Sequence, residues 1–284
     1  ILPESIVFGA EVKAILQNRT VSRSPDYRSF ADFFHYGQIL GEKTLFRDVR
    51  LLEPGSVLTV NLDSGQSSLQ KYWTLDRLFA EKGAYDPEIS KEEVASLLAQ
   101  AIKARNGYPD ILGLSLSAGL DSRAILAGLQ EKAEGIHTYT LGLTGCADQR
   151  LAGRMARIAR THHEFVPLGE QYLQDFEKMA SDMIRLSDGM YLPYESTEML
   201  ALDYFKRAKF KILLRGHGGE IAKAALAYPV AVKPQVWSFT EGQQSLDYIF
   251  DTTNLVMRDI DPKRLFSSAF HDLMSEAPQQ SLRE

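Results

Sequence analysis

Six consecutive residues, Ser117-Ala118-Gly119-Leu120-Asp121-Ser122, carry the chain's clearest chemical signal. They follow an apolar run at 111–116 and lead directly into Arg123-Ala124-Ile125-Leu126, the order of strand, small-residue loop and helix. Small residues allow several backbone N–H groups to converge on one oxyanion, and the following helix adds the positive end of its dipole. Phosphate is the expected guest. A Walker A loop would place Lys where Asp121 stands, so this is not a P-loop. A carboxylate beside an anion pocket calls for a mediating cation, and Mg²⁺ held by Asp121 is the natural one. A second glycine-bearing turn, Arg215-Gly216-His217-Gly218-Gly219-Glu220, supplies a candidate second metal ligand in Glu220. Two carboxylates holding Mg²⁺ on a pyrophosphate leaving group would stabilise charge developing during attack at an α-phosphate, which is adenylate-forming chemistry.

The elements that must position these residues are legible around them. Strand-like runs recur at 111–116, 136–141, 165–168 and 210–214, separated by helical stretches such as 148–160 and 170–185. That alternation predicts an α/β fold with a parallel, doubly wound sheet. In such sheets ligands sit beyond the carboxyl ends of the strands near the topological switch point, where both glycine-bearing turns fall. Ahead of them, Ser90 and Glu93 have capping-box spacing, and Val94, Leu97, Leu98, Ala101 and Ile102 form one helical apolar stripe. The first 75 residues read differently. Runs at 57–62 and 67–73 flank Asp63-Ser64-Gly65, a hairpin signal. Short helices are expected at 11–16 and 29–35, a strand at Ile6-Val7-Phe8, and a frayed polar end at 275–284. A mixed polar stretch at 76–89, with Gly83 and Pro87 as breakers, places a boundary between residues 1–75 and 76–284.

Composition narrows the classes. Over 284 residues, 44% are hydrophobic and 24% charged, as in a globular enzyme. A net charge of −5 gives no general reason to expect nucleic acid, and no 18-residue apolar stretch suggests a membrane. The single cysteine, Cys146, forms no internal disulfide, which fits a reducing cytoplasm. Without a flanking cation or a CxxC partner it reads as an inert small residue. His162-His163 lacks cysteine partners at zinc spacing and reads as strand packing. The opening Ile1-Leu2-Pro3, with no initiator Met, suggests a piece of a longer chain.

The loop resembles the Ser-Gly-Gly-x-Asp-Ser pyrophosphate loop of ATP pyrophosphatases, and its surroundings resemble glutamine-dependent asparagine synthetases. Phe8-Gly9-Ala10-Glu11-Val12-Lys13-Ala14-Ile15-Leu16, Thr44-Leu45-Phe46-Arg47-Asp48-Val49, Leu52-Glu53-Pro54-Gly55 and Tyr72-Trp73 are similar to the end of that family's glutaminase domain and the path out of it. Leu141-Gly142-Leu143, Asp148 and Thr161-His162-His163-Glu164 are similar to the second strand and next helix of its synthetase domain. The resemblance implies residues 1–75 as the tail of a glutaminase domain and 76–284 as a truncated synthetase domain of PP-loop fold. It implies an ATP-dependent ligase: a carboxylate, most simply aspartate, attacks the α-phosphate of ATP to give an acyl-adenylate, and glutamine-derived ammonia then displaces AMP. ATP and Mg²⁺ are the implied cofactors, small molecules the partners, and a homodimer the assembly. Ser117, Ala118, Gly119, Leu120, Asp121 and Ser122 would cradle pyrophosphate. Asp121 and Glu220 would hold Mg²⁺, while Ser115, Leu141, Arg215 and Gly216 would border the nucleotide, and 191–195 the acceptor.

The departures matter as much as the matches. Ala118 replaces a glycine and would crowd the anion if its φ had to be positive. His217 stands at a family Glu that serves the ammonia-dependent step, and Glu220-Ile221 stands for Asp-Glu. The glutaminase's N-terminal Cys and a late lysine region have no counterpart in these 284 residues, so this chain alone is expected to lack glutaminase activity. His217 and Arg123 motivate an alternative in which the adenylating core serves another carboxylate, as in β-lactam synthetases and lasso-peptide cyclases. A non-catalytic nucleotide-binding homologue is the remaining reading.

Overall fold

A computed structural model of the chain describes residues 5–74, 87–107, 112–129, 133–217, 238–239 and 242–284. The chain divides into two compact units that are not consecutive stretches: one takes Ile1–Gly83, Ile184–Leu192 and Val230–Glu284, the other Ala84–Met183 and Pro193–Pro229. The 76–86 part of the sequence-based boundary lies outside the described residues.

In the first unit, α1 spans Val12–Ile15 and α2 spans Tyr27–Tyr36. Asp26 caps α2 by accepting from the Arg28 and Ser29 backbone N–H groups, and Gly37 ends it at φ 72°. Strands β1 (Ser56–Val60) and β2 (Ser67–Lys71) form the antiparallel hairpin that the turn residues call for. Asn61 Oδ1 accepts from the N–H groups of Asp63 and Ser64, and Gly65 takes φ 68°. The expected strand at Ile6-Val7-Phe8 is a correction: no ladder forms there, and only Ser5 makes an isolated bridge. A β-branched pair has nothing to join without a neighbouring edge. The frayed end at 275–284 is a second correction. The helix Ser268–Arg283 packs on α2, with Ala31, Met257, Met274 and Ala277 buried between partly buried Phe34, Phe266 and Phe270. Polar side chains there find partners: Tyr36 Oη donates to the Pro278 carbonyl at 2.8 Å, and Lys43 Nζ reaches Ser281 Oγ at 3.0 Å and Asp32 Oδ2 at 3.1 Å. Burial raises the Asp32 carboxyl above the usual carboxylate range.

The second unit holds a four-stranded parallel sheet of order β5-β4-β3-β6, with β3 at Leu112–Ser115, β4 at His137–Gly142, β5 at His162–Pro167 and β6 at Ile212–Leu214. Successive strands run outward from β3 to β5, and the chain then returns to add β6 on the far side of β3. This reversal makes the sheet doubly wound and puts its switch point between β3 and β6. Leu112, Leu114 and Leu116 pack with Leu126, Leu129 and Ile136 into its core, together with Ala152 and Ala156. Continuous apolar strands are what a sheet covered on both faces requires.

Helix α3 begins at Pro87, earlier than the capping box implied, so Ser90 and Glu93 lie inside it. Its apolar stripe is only partly used: Ile102 is buried, while Val94, Leu97 and Leu98 are exposed. The single helix expected over 170–185 is two, α6 at Glu170–Gln174 and α7 at Phe176–Leu186, separated at Asp175. His163 behaves as the packing reading holds, its Nδ1 3.0 Å from Thr138 Oγ1 and its pKa lowered by burial. Among the described residues no helix is long and apolar enough to cross a membrane.

Candidate active site

The loop after β3 emerges at the switch point and closes into α4, Leu120–Leu129. Two contacts set its base. Thr140 Oγ1 donates to the Leu116 carbonyl at 2.5 Å, and Leu116 N–H donates to the Tyr139 carbonyl at 2.9 Å, so β4 fixes where the loop begins. Ser122 is buried and acts as its internal brace: its Oγ accepts from Ser117 N–H at 3.1 Å and lies 3.1 Å from Ser117 Oγ. Gly119 N–H donates to Ser117 Oγ at 3.1 Å. The hydroxyls that begin and end the loop therefore hold its backbone amides in a tight curl.

Ala118 N–H donates to Asp148 Oδ1 at 2.6 Å. Asp148 lies in the first turn of α5, Ala147–Ala159, where the helix dipole favours a carboxylate, and here it clamps the loop as well. The carboxylate shows that this amide points where an oxyanion can accept from it. Sequence reading noted Asp148 only within a family-like segment; its position two residues past Cys146, the α5 N-cap, was the available signal. Cys146 Sγ accepts from Gln149 N–H at 3.4 Å and so caps α5. The Ala118 methyl is tolerated, since among described non-glycine residues only Arg160, Asp188 and Lys209 have positive φ.

Leu120 is exposed at the start of α4, and Asp121 occupies its first turn. From the other side of the switch point, the turn after β6 presses on this same place. A Cβ on Gly216 would lie 2.7 Å from Asp121 Cβ and 3.1 Å from Ser122 N, so only glycine fits. The two glycine-bearing turns read from the sequence thus meet. His217 is exposed beside Gly216. Glu220 lies outside the described residues, so the Asp121–Glu220 pair rests on sequence alone. Among the described residues, no group of three His, Cys, Asp or Glu could hold a metal ion. Ser115 and Leu141 are half-buried at the ends of β3 and β4.

A polar row completes the strand ends. The buried Tyr139 phenol donates to Glu198 Oε2 at 3.2 Å, and Arg215 Nη2 donates to Glu198 Oε1 at 2.5 Å. Burial first, and then the Glu198 charge, raises the Tyr139 pKa against the lowering effect of a Ser115 hydrogen bond. Glu198 was invisible to motif reading because it comes from the 3-10 segment Pro193–Ala201, which has no pattern of its own.

The family model described as asparagine synthase matches residues 93–258, more than half of the chain and the whole of the site just described. The chain belongs to the asparagine synthase family. A second model, the glutamine amidotransferase domain, matches residues 2–73. A provisionally named asparagine synthetase [glutamine-hydrolyzing] 2 of Methanocaldococcus jannaschii is 24% identical over 219 residues, covering 75% of this chain and 41% of that protein. Asparagine synthetase [glutamine-hydrolyzing] 3 of Bacillus subtilis is 30% identical over 145 residues, covering 48% of this chain and 22% of its own length. The chain thus spans less than half the length of the curated relatives it matches. Among solved structures, an NH3-dependent NAD synthetase from Campylobacter jejuni covers 69% of this chain and 95% of its own at 13% identity and a TM-score of 0.26. Within this asparagine synthase family member, the matched region carries Ser117–Ser122, Asp148, Glu198 and the Gly216 turn together.

Proposed function

We propose that the chain is the nucleotide-handling part of an ATP-dependent, amide-forming ligase. The observation that carries this reading is the Ser117–Ser122 curl at the switch point, with the Gly216 backbone pressed against Asp121 inside the family match. The amides of the first α4 turn, the α4 dipole and Ser117 would grip the β- and γ-phosphates of ATP. Asp121, with Glu220, would hold Mg²⁺, whose hard oxygen preference suits two carboxylates and phosphate oxygens; when bound it offsets charge on the departing pyrophosphate. An acceptor carboxylate oxygen attacks the α-phosphorus, the bond to the bridging oxygen breaks, and pyrophosphate leaves. Ammonia derived from glutamine then attacks the acyl carbon, AMP leaves, and the nitrogen gives up a proton. His217, exposed and standing where the resemblance puts a Glu, would receive that proton.

Aspartate is the proposed acceptor. The substitution at His217 favours one other reading, the same adenylating core acting on a different carboxylate. Exchange of labelled pyrophosphate into ATP separates them when the full-length protein is assayed with aspartate and a panel of other acids. Aspartate-dependent exchange supports the first reading; exchange with another acid alone replaces it; no exchange with any acid removes the ligase reading.

A further inference from the structure

The register of the sheet lines up three side chains across adjacent parallel strands. Leu114 pairs with Leu214 and Ser115 with Tyr139, so the residue after Leu214 brings Arg215 level with Ser115. Glu198 ties this row together, with one oxygen on the buried Tyr139 phenol and the other on Arg215 Nη2. Both carboxylate oxygens are committed, and the one on Tyr139 anchors the group from the core side. A guanidinium carries five N–H donors in a fixed fork, and the ion pair engages one nitrogen. The Arg215 side chain remains about a third exposed, at 34%. A pair this exposed contributes little to stability, so its stronger consequence is positional. It holds a planar cation one residue before Gly216, whose backbone lies against the Asp121 end of the loop.

We propose that Arg215, positioned by Glu198, contacts the α-phosphate oxygens of a bound adenine nucleotide. This rests on the nucleotide reading of the loop. If the curl takes the two terminal phosphates, the α-phosphate would lie just outside it, toward the carboxyl ends of β3 and β6, and Arg215 follows directly on β6. Attack at that phosphorus concentrates negative charge on its oxygens, and a preorganised guanidinium offsets it without needing to reorient.

Binding of AMP and of adenosine to the full chain tests this without knowledge of the acceptor. The wild-type chain is expected to bind AMP at least about tenfold more tightly than adenosine, the scale of one charge-assisted hydrogen bond. Arg215→Met should abolish that preference while leaving adenosine affinity unchanged, and Arg215→Lys should restore part of it. Glu198→Ala should reduce the preference about threefold, again with adenosine unaffected, because the guanidinium is released rather than removed. An AMP preference in Arg215→Met equal to the wild type's overturns the proposal and leaves the nucleotide reading intact. Loss of adenosine binding in that variant assigns Arg215 a structural role and overturns it as well. A wild-type chain that binds neither AMP, adenosine nor ATP removes both.

Discussion

Replacing Gly216 with alanine probes the meeting of the two turns with a single methyl. The added Cβ would sit 2.7 Å from Asp121 Cβ, where carbon atoms normally rest about 3.5–4.0 Å apart, so roughly 1 Å of movement is forced. Ser122 N at 3.1 Å and Asp121 C at 3.2 Å are backbone atoms, so no rotamer change relieves the contact. Overpacking of this kind costs about 1–3 kcal/mol, or a fall in Tm of roughly 2–10 °C for a unit of this size. The displaced parts are the start of α4 and the carboxylate assigned to Mg²⁺, so Mg·ATP affinity should fall by more than tenfold. Calorimetric unfolding and Mg·ATP titration of Gly216→Ala measure both effects. Gly153→Ala is the matched control: it lies in α5 with nothing within 4 Å of an added Cβ, and it should be neutral or slightly stabilising. A Gly216→Ala chain with unchanged Tm and unchanged nucleotide affinity would refute the approach of the β6 turn to the loop.

Two further outcomes follow from the buried charges. Lys43→Met leaves Asp32, fully buried, without its cation, and should cost about 3–5 kcal/mol in urea unfolding; Lys43→Met with Asp32→Leu should recover much of that loss. His35, His137 and His163 all have pKa values lowered by burial from 6.5, so the unfolded chain binds more protons than the folded one just below that value. Their contribution is fully present above pH 6.5 and is lost as pH falls through it toward the lowered folded values. Urea midpoints measured from pH 8 to pH 5 should therefore decline below 6.5, and His163→Gln should flatten the decline; an unchanged slope in that variant contradicts the assignment.

The parts of the fold read most directly from the sequence are those where one segment decides its own state. The runs at 111–116 and 136–141 are apolar because central parallel strands are covered on both faces, and Leu112–Ser115 and His137–Gly142 follow them within a residue or two. The loop was legible because its residue types and order alone impose a tight curl. What escaped depends on neighbours distant in sequence. Ala118 finds Asp148 thirty residues on, and Arg215 finds Glu198 seventeen residues back, neither in a motif. The polar composition of 275–284 concealed a packed helix because Ala277, Pro278 and Ser281 turn to one side against α2. The stripe on α3 misled in the opposite sense: its periodicity is helical, yet Val94 and Leu97 stay exposed. Periodicity reports a helix, whereas burial requires a partner face.

The central claim is that the Ser117–Ser122 loop grips pyrophosphate through its backbone curl and an Asp121-held Mg²⁺. Calorimetric titration of magnesium pyrophosphate into the wild-type chain and into Asp121→Ala tests it most directly. The account predicts saturable one-to-one binding by the wild type, weakened at least about tenfold by Asp121→Ala under conditions where that variant is folded. Equal affinity in the two proteins, or no binding by the wild type, would contradict it.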